Sequence, residues 1–324
     1  MTPVPERECS PPAASRHVPV LAREVLAWLD PQPGQTFVDG TLGGGGHARL
    51  LAERLAGRSG VTSDHATGAA SERSDKKGLV LALDRDSAAV EAASCRLAGL
   101  PVLAVQASYA DLPQVLAERG LGPVDGILLD LGLSSDQLAD PDRGFSFQAP
   151  GPLDLRFDPQ EGLPAWQLLN QLPERELADI IYRYGEERFS RRIARAIVAR
   201  RRPGHVWTAA ELAELVRRCV GGRRERIDPA TRTFQALRIA VNDELGHLQR
   251  GLSVLPDCLR PGGRLAIISF HSLEDRLVKE AFRSDVRLQV LTKKPVRPTP
   301  AEAAENPRSR SARLRVAQRR APAD

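Results

Sequence analysis

Three aspartates at the ends of apolar runs, with a histidine and a tyrosine near them, are the residues of this chain most able to do chemistry together. Phe37-Val38-Asp39 leads into Gly40, Thr41, Leu42 and the run Gly43 to Gly46, with His47 next. Leu79 to Leu83 ends in Asp84, and Gly126 to Leu131 contains Asp130. An apolar run, a glycine loop and then a helical pattern present backbone N–H groups to a ligand, and glycine lets that ligand come close. Gly43, Gly45 and Ala48 satisfy the dinucleotide pattern G-x-G-x-x-G/A, a weak signal alone. Asp39 sharpens it, since a dinucleotide fold does not need an acid before the glycines. An acid about 20 residues past the glycines is placed to hold ribose hydroxyls. Asp84 lies 41 residues past Gly43, but 22 of these, Gly57 to Gly78, are rich in Ser, Gly, Asp and Lys and read as a loop insertion. The remaining separation is 19. Each residue also has a plainer reading. Asp84 could cap a helix, Tyr109 could be core, and His47 could simply open the helix after the loop.

The elements that position these residues alternate. A helix is expected over Ala22 to Leu29, stopped by Pro31 and Pro33. Strands are expected over Phe37 to Asp39, Leu79 to Leu83, Val102 to Gln106 and Gly126 to Leu131. Helices fall between them, over His47 to Ala56, Ser87 to Leu97 with Asp86 as N-cap, and Leu112 to Arg119. This alternation implies a doubly wound α/β sheet, with ligands beyond the carboxyl ends of the strands. The glycine loop, Asp84, Tyr109 and Asp130 then surround one crevice. From Asp136 to Ile227 no strand is expected, and the pattern is helical. There Arg188, Arg192, Arg195 and Arg202 would form a basic stripe opposite Phe189, Ile193 and Ile197. One long helix is expected over Thr231 to Leu259, followed by a turn at Pro261-Gly262-Gly263 and a strand over Arg264 to Phe270. Ser272 and Asp275 suggest a capping box. Two last strands are expected over Leu288 to Thr292 and Ala312 to Ala317.

A chain of 324 residues with 42% hydrophobic content holds one large domain or two. The net charge of +5 favours a polyanionic partner only where the charge is clustered. Cys9, Cys95, Cys219 and Cys258 form no C-x-x-C pair, so neither a zinc pattern nor a disulfide framework is read, and a reducing compartment is expected. No apolar run reaches the length of a membrane span, and the first 16 residues lack the apolar core of a signal peptide. A cytoplasmic protein with no membrane partner and no metal site is expected.

Longer motifs carry a resemblance. HVPVL at His17, DGTLGGGGH at Asp39, LDRD at Leu83 and LLDLGLSSDQL at Leu128 are followed by RGFSF at Arg143 and GPLDLRFD at Gly151. Further on come DPATRTFQALRIAVNDEL at Asp228, PGGRLAIISFHSLEDR at Pro261 and NPRSRSARLR at Asn306. In order and over nearly the whole chain, these resemble the bacterial RsmH (MraW) family, which methylates cytosine N4 in 16S ribosomal RNA. Three departures stand out: the long 57–78 insertion, Asp228 where the family commonly has histidine, and Gln148-Ala149-Pro150 before GPLDLR.

The resemblance implies a Rossmann-like class I methyltransferase sheet with an inserted helical domain, and S-adenosylmethionine as cofactor. It implies cofactor contacts at Gly45, Gly46, His47, Asp84, Tyr109, Asp130 and Gln137. The target it implies is the cytidine at position 1402, in conventional numbering, of 16S rRNA in the small ribosomal subunit. The chemistry agrees with most of these. Loop N–H groups and His47 can hold the methionine carboxylate. Asp84 can accept from ribose hydroxyls, and Tyr109 offers a flat face to adenine. Asp130 is expected nearest the reacting centre, where its side chain or the carbonyls of the Leu131-Gly132-Leu133 turn would accept from the amine, and its charge suits the sulfonium. Gln137 rests on the resemblance alone, and Asp39 is left without a role. Arg143, Phe145 and Phe147 are candidates for gripping an unstacked base. The arginine stripe, the Arg223-Arg224-Arg226 cluster and the tail from Arg308 to Arg315 suit phosphate contact.

The expected organisation is a flexible N-terminus (1–16), a methyltransferase domain (17–135 and 228–324, with 57–78 a disordered loop) and an inserted substrate-recognition domain (136–227). Two other classes compete: a nicotinamide-dependent dehydrogenase on the same fold class, and a non-catalytic RNA-binding or ribosome assembly factor. The first lacks a Tyr-x-x-x-Lys or a paired His and Asp in a suitable place. The intact glycine loop, Asp84 and Asp130 speak against the second.

Overall fold

The computed structural model describes residues 18–57, 78–221 and 228–321. The expectations for 1–16, for most of the 57–78 insertion and for the Arg223-Arg224-Arg226 cluster lie outside these residues. Seven strands form one sheet: β1 (Thr36–Asp39), β2 (Leu79–Asp84), β3 (Val102–Gln106), β4 (Val124–Asp130), β5 (Leu259–Ser269), β6 (Leu288–Val290) and β7 (Arg313–Arg319). Their order is β3-β2-β1-β4-β5-β7-β6. Strands β1 to β5 pair in parallel, and β7 runs antiparallel between β5 and β6. β1, β2 and β4 are mostly buried apolar residues, as a sheet covered on both sides requires. From β1 the chain moves outward through β2 to β3, then returns to place β4 on the other side of β1. With right-handed crossovers, the two directions put their helices on opposite faces. The α/β doubly wound, Rossmann-like sheet is therefore present. Its order reverses between β1 and β4, where open sheets of this kind bind ligands.

Contacts divide the chain into two compact units. One is Met1–Gly132 with Arg250–Asp324, and the other is Leu133–Gln249. The core of the sheet unit joins Phe37, Leu51, Val80, Leu128, Ile268 and Val316, among others. The second unit is built on helices Ala165–Gln171, Glu174–Gly185, Ser190–Val198, Ala209–Val220 and Ala230–Asn242. They close on buried Leu153, Leu177, Ile193, Trp207, Leu212 and Leu237. Thr208 caps Ala209–Val220 by accepting from the Glu211 N–H at 3.2 Å, and Asp86 caps Ser87–Arg96 by accepting from Ala88. Both caps follow from residue type.

Several local expectations are corrected. The long helix expected over Thr231 to Leu259 is two, Ala230–Asn242 and Glu244–Cys258, broken where Asp243 turns left-handed at φ 47°. Strand β5 begins at Leu259 rather than Arg264. It keeps Pro261-Gly262-Gly263 within it because its pairing with β4 shifts register between Val124 and Gly126, which absorbs the extra residues as a bulge. The capping box at the next helix uses His271 and Glu274, not Ser272 and Asp275. Asp275 instead receives Arg315 at 2.6 Å and Arg313 at 3.3 Å. Two arginines of the tail thus anchor β7 inside the sheet.

Candidate cofactor site

Strand β1 delivers Asp39 to the reversal point fully buried. Gly40 follows because nothing larger fits: a Cβ there would lie 2.4 Å from Leu129 Cδ2 and 3.0 Å from Tyr109 Cβ. The Gly40 N–H donates to the Leu128 carbonyl, which fixes the start of the loop against β4. The loop then turns through left-handed Gly43 (φ 46°) and Gly45 (φ 79°), conformations that glycine adopts without strain. Helix Gly46–Leu55 opens with Gly45 as an N-cap that has no side chain to donate to. Its first-turn N–H groups therefore keep their capacity to meet an anion.

Asp84, at the end of β2, holds this loop. Its Oδ2 accepts from the Gly43 N–H at 2.7 Å and its Oδ1 from the Asp86 N–H at 2.9 Å. The insertion-corrected spacing points to ribose hydroxyls for Asp84, and this bond to the loop backbone is a further contact it does not foresee. Burial pushes the Asp84 pKa up, against the lowering effect of these two N–H donors. Tyr109 begins a short 3₁₀ turn (Tyr109–Asp111) after β3, half-buried. Its ring lies against Gly251, where an added Cβ would come within 2.8 Å of Cδ2 and Cε2.

Asp130, at the end of β4, is joined to the loop by its own N–H, which donates to Thr41 Oγ1 at 2.6 Å. Its Oδ2 lies 3.5 Å from His47 Nε2, and His47 is only 4% exposed. Asp39 completes the cluster. Its Oδ1 accepts from the Thr41 N–H at 3.1 Å. Burial raises the Asp39 pKa to about 6, with His47 opposing and Asp130 and Asp84 adding to the rise. Burial would lower the His47 pKa, but the neighbouring Asp130 and Asp39 carboxylates outweigh it and leave it raised. Asp39 Oδ2, Asp130 Oδ1 and both His47 ring nitrogens are buried without a hydrogen-bond partner. So dense a group of unsatisfied polar atoms is rare in a folded protein and calls for a function.

The structure thus brings together Gly45, Gly46, His47, Asp84, Tyr109 and Asp130 at the carboxyl ends of the strands. It adds Asp39, which the sequence singles out but leaves without a role, and Thr41, which the sequence does not single out. For Asp39 the signal was present, an acid where an apolar strand meets glycine. For Thr41 there was none. Gln137 belongs to the helical unit, where it completes a capping box: its side-chain carbonyl accepts from the Ser134 N–H and its own N–H donates to Ser134 Oγ. Its assignment to the cofactor rests on the resemblance alone. The base-gripping candidates serve packing. Arg143 donates to the Arg156 and Phe157 carbonyls, Phe145 is buried and stacked with Phe157, and Phe147 meets Phe234 edge-on.

A family model described as the MraW methylase family matches residues 14–320. The chain belongs to the MraW methylase family. Among relatives of this methylase, the ribosomal RNA small subunit methyltransferase H of Rhodopirellula baltica is 52% identical, covering 95% of this chain and 92% of that one. The protein of the same name from Deinococcus radiodurans is 50% identical, covering 98% and 93%. Among solved structures, the chain is similar to a putative methyltransferase from Streptococcus mutans in complex with SAH, at 10% identity and a TM-score of 0.43, covering 94% of this chain and 99% of that one.

The cofactor of such a methylase is S-adenosylmethionine. The site fits it on its own terms. S-adenosylmethionine carries two cationic groups, a sulfonium and an ammonium, and the cluster holds two buried carboxylate oxygens, on Asp39 and Asp130, with no donor of their own. Its carboxylate suits the opening N–H groups of the helix at Gly46. Among the described residues, no helix is long and apolar enough to cross a membrane.

Proposed function

We propose that this chain transfers a methyl group from S-adenosylmethionine to the exocyclic N4 of a cytidine in 16S ribosomal RNA of the small subunit, at position 1402 in conventional numbering. Chemistry at the cofactor is carried by the family and by the unsatisfied carboxylate oxygens of Asp39 and Asp130. The RNA is supported by the ribosomal RNA methyltransferases to which the chain is 52% and 50% identical. The atom and position come from the family resemblance.

When bound, the cofactor supplies an electrophilic methyl group on a sulfonium. The residues of the chain orient and stabilise. The N–H groups of Gly46 and His47 would receive the methionine carboxylate, and Gly45, whose N–H donates to the Leu42 carbonyl at 2.7 Å, shapes the turn beside it. Asp84 accepts from the ribose hydroxyls with the lone pairs left after Gly43 and Asp86, and Tyr109 flanks the adenine. Asp130 is the catalytic residue. The cytosine amine is a poor nucleophile because its lone pair is delocalised into the ring. A carboxylate accepting one amine hydrogen favours rehybridisation of N4 and would take the proton as the N–C bond forms and the methyl's bond to sulfur breaks, its electron pair staying on sulfur as a neutral thioether. Asp130 Oδ1 has no competing donor, and His47 on Oδ2 holds the carboxylate in place. Positioning N4 in line with the methyl supplies much of the remaining acceleration.

The test is methyl transfer from labelled S-adenosylmethionine to small subunits that lack this modification, with the product nucleoside identified. Labelled N4-methylcytidine is expected. Cofactor binding with no transfer, on subunits that an active homologue methylates, would replace the enzyme by an assembly factor.

A further inference from the structure

The helical unit carries a run of arginines on and after helix Ser190–Val198, and the contacts of each guanidinium sort these and Arg217 into two groups. Arg201 is structural. Its Nε donates to the Leu169 carbonyl at 2.7 Å and its Nη2 to the Leu172 carbonyl at 2.5 Å, closing the end of helix Ala165–Gln171. Arg217 grips Asp228 through Nε and Nη2, with the shortest contact at 2.6 Å. Arg195 lies 3.6 Å from Glu174. The second group is different. Arg191, Arg192, Arg200 and Arg202 are exposed or nearly so, and among the described residues none has an acid within ion-pair distance.

Members of this second group converge. The Cys219 Sγ sits 4.0 Å from the Arg192 carbonyl, which joins helix Ser190–Val198 to helix Ala209–Val220. Burial pushes the Cys219 thiol up in pKa, while Arg192, Arg200 and Arg218 are all close enough for their charges to pull it down. Arg192 and Arg218, the latter next in sequence to Cys219, therefore stand on two packed helices where these touch, with Arg200 in the segment that joins them. Arg218 is only loosely occupied, by an exposed i,i+4 partner, Glu214, at 3.0 Å. Of the apolar side chains of helix Ser190–Val198, Ile193, Ala194 and Ile197 are buried, and Ala196 and Val198 are half-buried. Its outer face offers charge without an apolar centre. A protein partner would want such a centre, whereas a phosphate backbone wants the forked donors of arginine and little else.

We propose that the face formed by Arg192, Arg200 and Arg218, with Arg191 and Arg202 continuing it, binds the phosphate backbone of the RNA substrate. This rests on the RNA reading of the function and says where the strand is held. Attraction at such a face is sequence-independent, so it raises affinity and encounter rate and leaves the choice of base to the active site.

The experiment measures binding of the full-length protein to protein-free small-subunit RNA and to intact small subunits over a range of salt. The variants are Arg192→Gln/Arg200→Gln, with Arg217→Gln as the control that removes an equal type of charge already paired. The double variant is expected to lower the slope of log affinity against log salt by about 1.4, two phosphate contacts on single-stranded RNA. Its S-adenosylmethionine affinity and its thermal midpoint should match wild type, and the control should keep the wild-type slope. An unchanged slope in the double variant, with wild-type protein binding normally, overturns the inference alone. Loss of binding to subunits with RNA binding intact assigns the face to a ribosomal protein and overturns it too. Wild-type protein that binds neither target overturns both this inference and the RNA reading beneath it.

Discussion

Two groups of charge in this chain meet water in opposite ways. Asp39, His47 and Asp130 gather at the end of the sheet, where Asp39 is fully buried and His47 is 4% exposed. The arginines of helix Ser190–Val198 stand in solvent, Arg195 with 77% of its side chain exposed. At the surface an unpaired charge costs little, because water solvates it and salt screens it. In the interior a carboxylate oxygen without a donor carries a desolvation penalty, which His47 and the Thr41 N–H offset only in part at Asp39. The buried group is therefore the specific one, built for a ligand of matching charge at short range. The exposed group acts at longer range and on any polyanion. The comparison also explains why arginines next to one another differ: Arg201 and Arg217 have carbonyl or carboxylate partners, while Arg192 and Arg200 have none among the described residues.

Replacing Asp130 by alanine should have the largest effect. It removes the acceptor for the amine and one of the two unsatisfied carboxylates. Single-turnover transfer should fall by about 10² to 10⁴-fold, and a variant with normal turnover would remove the side chain from the mechanism. Asp39→Asn reports on the cost of burial. The folded-state pKa of Asp39, about 6, lies above its ordinary 3.8. Its ionisation in the fold therefore costs stability that is absent below pH 4 and fully present above about pH 6, on the order of 3 kcal/mol. His47, with a raised pKa, changes in the same direction: its contribution is full below pH 6.5 and is lost as pH rises through the folded value. Thermal melts of ligand-free protein should show Asp39→Asn gaining on wild type between pH 4 and 6. A difference flat with pH would show that Asp39 is not held ionised against burial.

Two smaller effects separate the arginines. Arg201→Ala leaves two carbonyls without their charged donor and should cost roughly 1.5–3 kcal/mol by chemical denaturation. Arg217→Gln breaks a bidentate but largely exposed pair with Asp228 and should cost less than about 1 kcal/mol. If Arg217 proved the more costly of the two, exposure would not be the property that sorts these residues.

Much of the sheet was legible because its signals are local. An apolar run that stops at an acid, glycines that permit a turn, and Ser, Thr or Asp before a helix need no distant partner, and β1 to β4, the Asp86 cap and the Thr208 cap appear where such signals stand. Asp84 is legible in the same way, as the acid that ends the apolar run of β2. What was illegible depends on residues far apart in sequence. At Asp243 the signal is weak: Asn and Asp enter the left-handed region more readily than other non-glycine residues, but Asn242-Asp243 stands inside a continuous helical pattern with no glycine or proline at the break. Arg143 and Phe145 read as exposed recognition residues until carbonyls and rings from 156 and 157 claim them. The bulge in β5 needs Val124 and Gly126 opposite it to exist. For Asp39, the sequence shows an acid but not that one of its oxygens is left without a donor, and that is the fact which gives it a role.

At the centre of this mechanism are two buried carboxylate oxygens matched to a cationic cofactor. The most direct measurement is calorimetric titration of S-adenosylmethionine at pH 6 in buffers of different ionisation enthalpy, with wild type and Asp39→Asn. A cation arriving beside a half-protonated carboxyl should displace its proton. Wild type should release roughly half a proton per cofactor bound and the variant markedly less. Binding with no proton release in wild type, or with the same release in the variant, would contradict the assignment of this cluster to the cofactor's positive charge.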